Sequence, residues 1–433
     1  MGAAVSSISD AISMALASLR LLYSMLGGYR RLSRRVSQPP GLPVPEPTAP
    51  YWLDDPRRLV RFQLRHLPAL ADLGARHPQG EVREVETVDL YLDGDEFAAA
   101  RRHVVGLSEA MPDVKVEILE AKEAQERIGV NKHIVGATLY KAGALWPYRL
   151  VTGVWNDLVK RFPNLLIRTH APVDSVSKDE SDPAYPYLIH HSGSECATLR
   201  ARHVVHATNA HAAHLMPSLR GRLTGLIGHM TAQRPGAALP PSHGLRSWSV
   251  MYASGLEYAT QRPDDGTGAP GDVLVGGGLR RSKDMGLDQM GVWDDARVDA
   301  MPLMHVRGSL PTVLEPNWGA GGGLLRAWTG IMGFTGDMLP LVGRVPEKRR
   351  GKVGNGSGQW IAAGFNGEGM VWAWLCGTAL GVMVLGREEE ELEEGVGRPG
   401  GRLGEWFPAA ELAVDEARLK RAELVNLLGE LMD

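Results

Sequence analysis

The stretch Gly364-Phe365-Asn366-Gly367-Glu368-Gly369-Met370 sets three glycines between a strand-like run, Gln359–Ala363, and a long apolar helical pattern from Glu368 to Leu385. A glycine-rich turn that opens a helix presents backbone N–H groups and the positive end of the helix dipole, so it suits a group that carries or develops negative charge. Glycine is also the ordinary residue of a tight strand-to-helix turn, and the pattern alone leaves both readings open. A second candidate is Ala207-Thr208-Asn209, which ends the strand-like run Leu199–His206. Small residues there let a bulky ligand approach the backbone, although a plain Asn turn accounts for them equally. Tyr252, Tyr258 and Arg326 carry groups able to orient a carboxylate or an amine, and a structural role for each is the competing reading. His203, His206, His211, His214 and His229 lack the spacing of metal ligands: the first two fall on opposite faces of a strand and no carboxylate pattern accompanies them, so no metal site is expected. The GxGxxG match at Gly395–Gly400 contains Pro399, follows an acidic run and opens no clear helix, so it is not read as a phosphate loop.

The elements that must position these residues alternate in type. Helical patterns cover Arg57–His66, Glu96–Met111, Glu120–Ile128 and Tyr148–Arg161, the last with Leu150, Val151, Val154, Trp155, Leu158 and Val159 on one face. Strand patterns cover Val82–Leu92, Leu165–Thr169, Val173–Ser177, Tyr187–His191, Leu199–His206, Tyr252–Thr260 and Asp272–Gly276. Such a mixture with long connections predicts an α/β or α+β fold. At the start, Ile8, Ile12, Leu16, Leu19, Tyr23 and Leu26 recur at helical spacing, which predicts an amphipathic helix within residues 1–37 rather than a membrane span. Gly2 and Ser6 fit a myristoylation pattern, and with Arg30, Arg31, Arg34 and Arg35 they offer the two signals of peripheral membrane contact through residues 1–35; a helix that packs on its own protein is the alternative. Residues 38–56 read as a proline-rich linker, Arg387–Glu394 as an acidic helical run, and Pro408–Met432 as an amphipathic helix.

Composition excludes several classes. The 433 residues give a chain long enough for a large core, and the two cysteines, Cys196 and Cys376, are too few for a disulfide framework and suit a reducing, cytoplasmic setting. A net charge of −3 makes no electrostatic case for nucleic acid. The 52 glycines and 28 prolines imply many tight turns and close backbone approaches.

Five stretches together resemble one family: AGALWPYRLVTGVW (Ala142–Trp155), HVVHATNAHAAHLMP (His203–Pro217), YATQRPDDG (Tyr258–Gly266) with VLVGGG (Val273–Gly278), WTGIMGFTGDMLPLVG (Trp328–Gly343) and WIAAGFNGEGM (Trp360–Met370). Their order resembles the D-amino-acid oxidase superfamily of FAD-dependent oxidoreductases, in the branch with glycine and sarcosine oxidases and their fungal relatives. The resemblance runs from about Arg57 to Leu385.

It implies an FAD-binding Rossmann-like domain built from residues 57–80, 146–218 and 323–386, with a mixed or antiparallel-sheet substrate domain from 81–145 and 219–322, and an acidic and helical tail at 387–433. It implies that FAD lies beside Val173, Thr208 and Asn209 and that its ring meets Gly364, Phe365, Asn366, Gly367, Glu368, Gly369 and Met370. Gly330 stands where some relatives carry a cysteine bonded to the flavin, so the cofactor would be non-covalent. Val371 stands where several relatives place a substrate-binding lysine. The implied reaction is oxidation of a C–N bond in a small amine or amino acid, by hydride transfer to flavin N5. The strand, GxGxxG turn and helix that open the family's FAD domain are expected at about Pro56/Arg57 and have no counterpart in the sequence. Two alternatives follow: a degenerate member without FAD or catalysis that acts as a binding or membrane-associated protein, or a protein that keeps the substrate domain and uses no cofactor. The oligomeric state is not legible.

Overall fold

The computed structural model describes residues 55–179, 181–193, 197–253, 255–264, 266, 270–346 and 357–427. The amphipathic helix and membrane contact expected near the start, and the linker up to residue 54, lie outside the described residues. The architecture is mixed α/β. Its strands are β1 (Arg83–Tyr91), β2 (Glu117–Glu120), β3 (Gly136–Ala144), β4 (Val173–Lys178), β5 (Tyr187–His191), β6 (Ala197–Ala201), β7 (His203–His206), β8 (Leu223–Arg234), β9 (Arg246–Tyr252), β10 (Gly255–Gln261), β11 (Val273–Gly277), β12 (Gly323–Thr335), β13 (Leu341–Arg344) and β14 (Gly358–Ala363). The longer helices are α1 (Pro56–Leu64), α2 (His66–Arg76), α3 (Gly94–Ala110), α4 (Ala121–Ile128), α5 (Pro147–Arg161), α6 (Ala300–Val313) and α7 (Ala373–Val384). Among the described residues no helix is long and apolar enough to cross a membrane.

Helix starts follow local chemistry. Asp55 accepts a hydrogen bond from the Arg57 N–H at 3.0 Å and Pro56 occupies the first turn, so α1 begins inside the expected linker. Asp93 caps α3 by accepting from the Asp95 and Glu96 N–H groups, and Asp299 caps α6.

The large sheet has the order β12-β8-β11-β10-β9-β1-β3-β2. Its neighbours run antiparallel except β1 and β9. Alternating residues give it two faces. One buries Val88, Leu90, Trp248 and Val250 against Val306 and Leu310 of α6. A smaller sheet joins β7 to β14 in parallel and β14 to β13 in antiparallel, and β4, β5 and β6 form a meander. A second core gathers Phe62 of α1, Leu70 of α2, Leu375 and Ala379 of α7, and Trp406 and Phe407.

Several elements differ from the expectations. The run Leu199–His206 divides into β6 and β7, because one half pairs with β5 and the other with β14. Tyr252–Thr260 is not one strand but parts of the hairpin of β9 and β10. Leu165–Thr169 forms no strand: no strand pairs with it among the described residues, and without a partner a strand has nothing to satisfy its backbone. Arg387–Glu394 is not helical, since α7 closes at Gly386, whose φ of +65° suits a glycine C-cap, and the run of like charges beyond cannot sustain a helix. Pro408–Met432 does not form one continuous helix but breaks at Asp415, which caps a new turn, Glu416–Arg421. That break lets Arg418 turn inward. Its fully buried guanidinium pairs with Asp337 at 2.7 Å and donates to the carbonyls of Leu339, Pro340 and Glu411.

The start of α7 depends on His66. This ring is fully buried; its Nε2 accepts the Leu375 N–H at 3.2 Å and its Nδ1 lies 3.0 Å from the Phe62 carbonyl, to which it donates. Accepting at Nε2 needs the neutral imidazole, and burial lowers the His66 pKa to about 4. A folded-state value below the unfolded one means that the unfolded chain takes up the proton first as pH falls. Stability is therefore fully present above about pH 6.5 and is lost as pH drops toward 4, by roughly 3 kcal/mol. In urea titrations from pH 7 to pH 4, the wild-type chain is expected to lose more stability than His66→Gln; equal losses would contradict this role.

Candidate functional site

Three segments distant in sequence converge where β7 and β14 end side by side. After β7 the chain turns at Asn209, whose φ of +46° is one that Asn tolerates better than most residues. Asn209 Oδ1 accepts the Gly364 N–H at 2.9 Å, which ties the two strand ends together. Asn366, at φ +53°, faces the end of β12. Its Oδ1 accepts from the Thr335 N–H at 2.8 Å and from the Thr335 hydroxyl at 3.3 Å, its Nδ2 donates to the Gly364 carbonyl, and its own N–H donates to the Gly333 carbonyl at 2.8 Å. Two glycines are required by this closeness. A Cβ at Gly364 would lie 2.6 Å from Thr335 Cγ2, and one at Gly333 would collide with Asn209 Oδ1 and come within 2.9 Å of the Ala210 nitrogen.

The lock leaves a set of backbone donors unused. α7 begins at Ala373 and not at Glu368 as the sequence suggests, because a 3₁₀ turn over Gly369–Val371 intervenes. The Val371 N–H donates to the Glu368 carbonyl at 3.1 Å and the Trp372 N–H to the Gly369 carbonyl at 3.2 Å. Among the described residues the N–H groups of Gly367, Gly369 and Met370 have no hydrogen-bond partner. Gly369 and Met370 are buried, and Gly367, at φ +77°, is exposed. Buried N–H groups without protein partners are rare in folded proteins and call for an acceptor from a ligand or from solvent. Phe365 and Met370 pack into the core beneath, and the Glu368 carboxylate accepts from the Trp372 indole N–H at 3.2 Å, so these three side chains support the turn. Thr208 lies exposed at the end of β7. Asn209 spends its side chain on the lock.

The turn overlooks one face of the large sheet. A Cβ at Gly367 would meet the Phe334 ring at 3.6 Å and the Met332 sulfur at 3.7 Å. Register fixes what else this face carries. Trp328 pairs with Met230, Met230 with Gly276, Gly276 with Tyr258, and Tyr258 with Ser249, all in one row. Gly330, paired with Gly228, lies on the same face two residues along β12 from Trp328. Arg326, paired with Ala232, shares the face at its exposed outer end.

The structure therefore brings Gly330 to the side of the Gly364–Met370 turn, whereas Tyr258, three strands across from β12, and Arg326, at the outer end of β12, share only its sheet face. It does not bring Tyr252 there. That side chain hydrogen-bonds Glu257, a buried acid that also accepts the Gly278 N–H and pairs with His305 of α6 at 3.1 Å. Burial, then the Glu257 charge, raises the Tyr252 pKa. Val173 sits on β4, paired with His191, and the helical turn Ala212–Leu215 that follows Asn209 packs against β4.

Other features of the sequence are used elsewhere. His203 accepts from the Trp360 indole N–H, His206 pairs with Gln359 and His229 accepts the Asp299 N–H, so the histidines serve separate places. Among the described residues no three His, Cys, Asp or Glu side chains group as metal ligands. The GxGxxG match contains a tight turn, with Gly395 and Arg398 bonded to each other and the Gly397 carbonyl accepting from the Trp374 indole of α7. A surface groove of about 950 Å³, lined by Lys132, Arg307, Trp318 and Leu324, lies toward the opposite ends of β8 and β12. Sequence reasoning missed Gly333, Thr335, Met332 and Met230, whose importance arises from pairings that span the chain; the glycine at 333 was the one local sign.

The family described as DAO, FAD dependent oxidoreductase, matches residues 27–383. No curated protein sequence matches significantly. Among solved structures, the chain is similar to glycine oxidase from Geobacillus kaustophilus, with 20% identity, a TM-score of 0.57, and coverage of 77% of this chain and 80% of that one. It is also similar to iminodiacetate oxidase from Chelativorans sp. BNC1, with 17% identity, a TM-score of 0.57 and coverage of 80% and 85%. L-proline dehydrogenase from P. horikoshii gives 17% identity, a TM-score of 0.55 and coverage of 75% and 78%.

The lock itself can be tested. Asn366→Ala removes three side-chain hydrogen bonds, leaves the buried Thr335 N–H unpaired and puts alanine at a positive φ, so a loss of about 2–4 kcal/mol is expected in urea unfolding. A loss below about 0.5 kcal/mol would show that Asn366 does not hold the segments together.

Proposed function

The chain belongs to the FAD dependent oxidoreductase (DAO) family, and from that premise we propose that it oxidises a C–N bond of a small amine or amino acid with non-covalent FAD. The observation that carries this reading is the trio of unpartnered N–H groups at Gly367, Gly369 and Met370, set at a positive-φ glycine beside Met332 and Phe334 of β12. These donors fit the carbonyl-bearing edge of a flavin ring. When bound, FAD supplies the acceptor, at N5, for a hydride from the substrate carbon next to nitrogen.

The chain's own residues do the rest. Backbone N–H groups aimed at a site where negative charge develops stabilise it without reorganising, because the lock of Asn209, Asn366 and Thr335 fixes them in advance. Thr208 and the backbone after β7 would lie along the chain that leads from the ring, and Val173 would meet the adenine end. Gly330 offers no thiol, in keeping with a cofactor held without a covalent bond. Met332 and Phe334, beside Gly367, exclude water from the reacting edge, and Tyr258 lies farther across the same face in the row of Trp328 and Met230.

In this reading the grip rests on the ring half of the cofactor, because β7 is the edge strand of its sheet among the described residues. Gly367→Ala tests it. A methyl group there meets only ordinary contacts, so apo stability should fall by about 1 kcal/mol from backbone strain. The dissociation constant for FAD, read by quenching of flavin fluorescence, should rise about tenfold, because the added methyl group holds the flavin edge off the backbone N–H groups and weakens a charge-stabilising hydrogen bond. An unchanged constant would remove the turn from the cofactor site.

A further inference from the structure

The structure assigns a second binding site to the groove beside α6, one that takes a singly charged carboxylate on an apolar, hydroxyl-bearing ring. It is separate from the flavin turn. Side chains alternate along β8, so Met230 joins the row of Trp328 and Tyr258, whereas Gln233, paired with Val273 and Leu324, looks the other way, toward α6. The groove encloses about 950 Å³ between one face of α6, the loop at residues 130–133 and the start of β12, which is room for such a molecule.

Two buried polar side chains line it with bonding capacity to spare. Gln233 is 2% exposed, and its amide nitrogen donates to Thr231 Oγ1 at 2.9 Å and to the Val306 carbonyl at 3.2 Å. The Thr231 hydroxyl donates onward to the Val275 carbonyl at 3.0 Å, which fixes the orientation of the amide. Gln233 Oε1 accepts no hydrogen bond among the described residues. Trp318 is 8% exposed, and its indole N–H has no acceptor among the described residues. A Cβ at Gly322 would lie 2.7 Å from that nitrogen, so glycine in the lining leaves the N–H uncovered. A buried acceptor and a buried donor without partners call for a group that gives and receives, as a hydroxyl does.

The walls above carry charge and apolar surface. Lys132 and Arg307 form no ion pair among the described residues, and Glu315 is the one acid of the lining. Asn131, next to Lys132, is bonded to the Thr312 and Val313 carbonyls, both at 2.8 Å. These lie about 8 Å along the helix from Arg307, a spacing that two long side chains close on one anion. Two cations against one acid match a carboxylate better than a doubly charged phosphate. Pro311, Pro316, Leu324 and Trp318 supply the surface for a ring. Gly308 keeps the groove open: glycine weakens a helix interior, yet here neither a positive φ nor any atom within 4 Å of a Cβ requires it.

Matched ligands test the site. Titrated calorimetrically into the purified full chain with FAD present, 6-hydroxy-2-naphthoate should bind at least tenfold more tightly than its amide and at least threefold more tightly than 2-naphthoate. Gly308→Leu, which fills the groove, should weaken the hydroxynaphthoate at least tenfold. Arg307→Gln should weaken it at least threefold and leave the amide unchanged, and circular dichroism reports whether both variants are folded. Equal binding of the hydroxynaphthoate and its amide would overturn the inference, as would failure of both to bind or 2-naphthoate binding as tightly. Binding that survives Gly308→Leu and shifts the visible flavin spectrum would place the ligand at the Gly364–Met370 turn and overturn it too. A loss on Gly308→Leu without any change in that spectrum supports a site apart from the flavin.

Discussion

The hydrogen bond from the Gly364 N–H to Asn209 Oδ1 is the constraint on which the site depends. It joins the ends of two parallel strands that lie far apart in sequence, and it fixes where the glycine turn leaves β14. Asn366 then carries the constraint to β12, because its side chain bonds both Thr335 and Gly364. The Thr335 hydroxyl passes it on to the Leu339 carbonyl, which Arg418 also engages from the C-terminal segment. One continuous polar chain thus runs from β7 through β14 and β12 to residues beyond 400. A buried polar network of this kind holds geometry tightly when every member is satisfied. The unpartnered N–H groups of Gly367, Gly369 and Met370 lie directly beside it.

How much of this was legible in the sequence follows from the range of each interaction. The mixed α/β class was legible, because strand and helix periodicities are local. The Gly364–Gly369 turn was legible as well, because glycine reports a backbone need at its own position. Asn209 could be placed but not understood: a turn-forming Asn looks the same whether its side chain faces solvent or a strand over a hundred residues away. Thr335 gave no signal, since its role comes only from Asn366. Tyr252 drew attention as a polar aromatic, yet strand alternation sends it to the face of Glu257 and His305, and a hairpin hidden inside one apparent strand governs that alternation. The start of α7 was misplaced for a related reason. His66, far upstream, accepts an N–H of its first turn, and the chain reaches helical geometry only past the glycines.

One surface remains in tension with the rest. The pattern on α5 predicts a buried face, and Leu150 is buried, yet Trp155 and Val159 are exposed, as are Phe162, Leu166 and Ile167 in the extended segment that follows. Val205 on β7 is exposed too, at the end of its sheet. Apolar groups beside an open strand edge are ordinarily covered in a folded protein. The segment Leu165–Thr169 has strand composition and no strand to join, so the local sequence is written for a larger sheet than the described residues build. This places the strength of the site on the side of β12, β14 and α7.

The account therefore stands or falls on the Gly364–Met370 turn. Amide hydrogen exchange of the peptide spanning residues 360–375, measured with and without FAD, tests it directly. Ligation of the N–H groups of Gly367, Gly369 and Met370 predicts that added FAD slows exchange in this peptide by at least tenfold. Unchanged exchange there, with FAD shown to be bound, would contradict the claim that this turn is where the flavin sits.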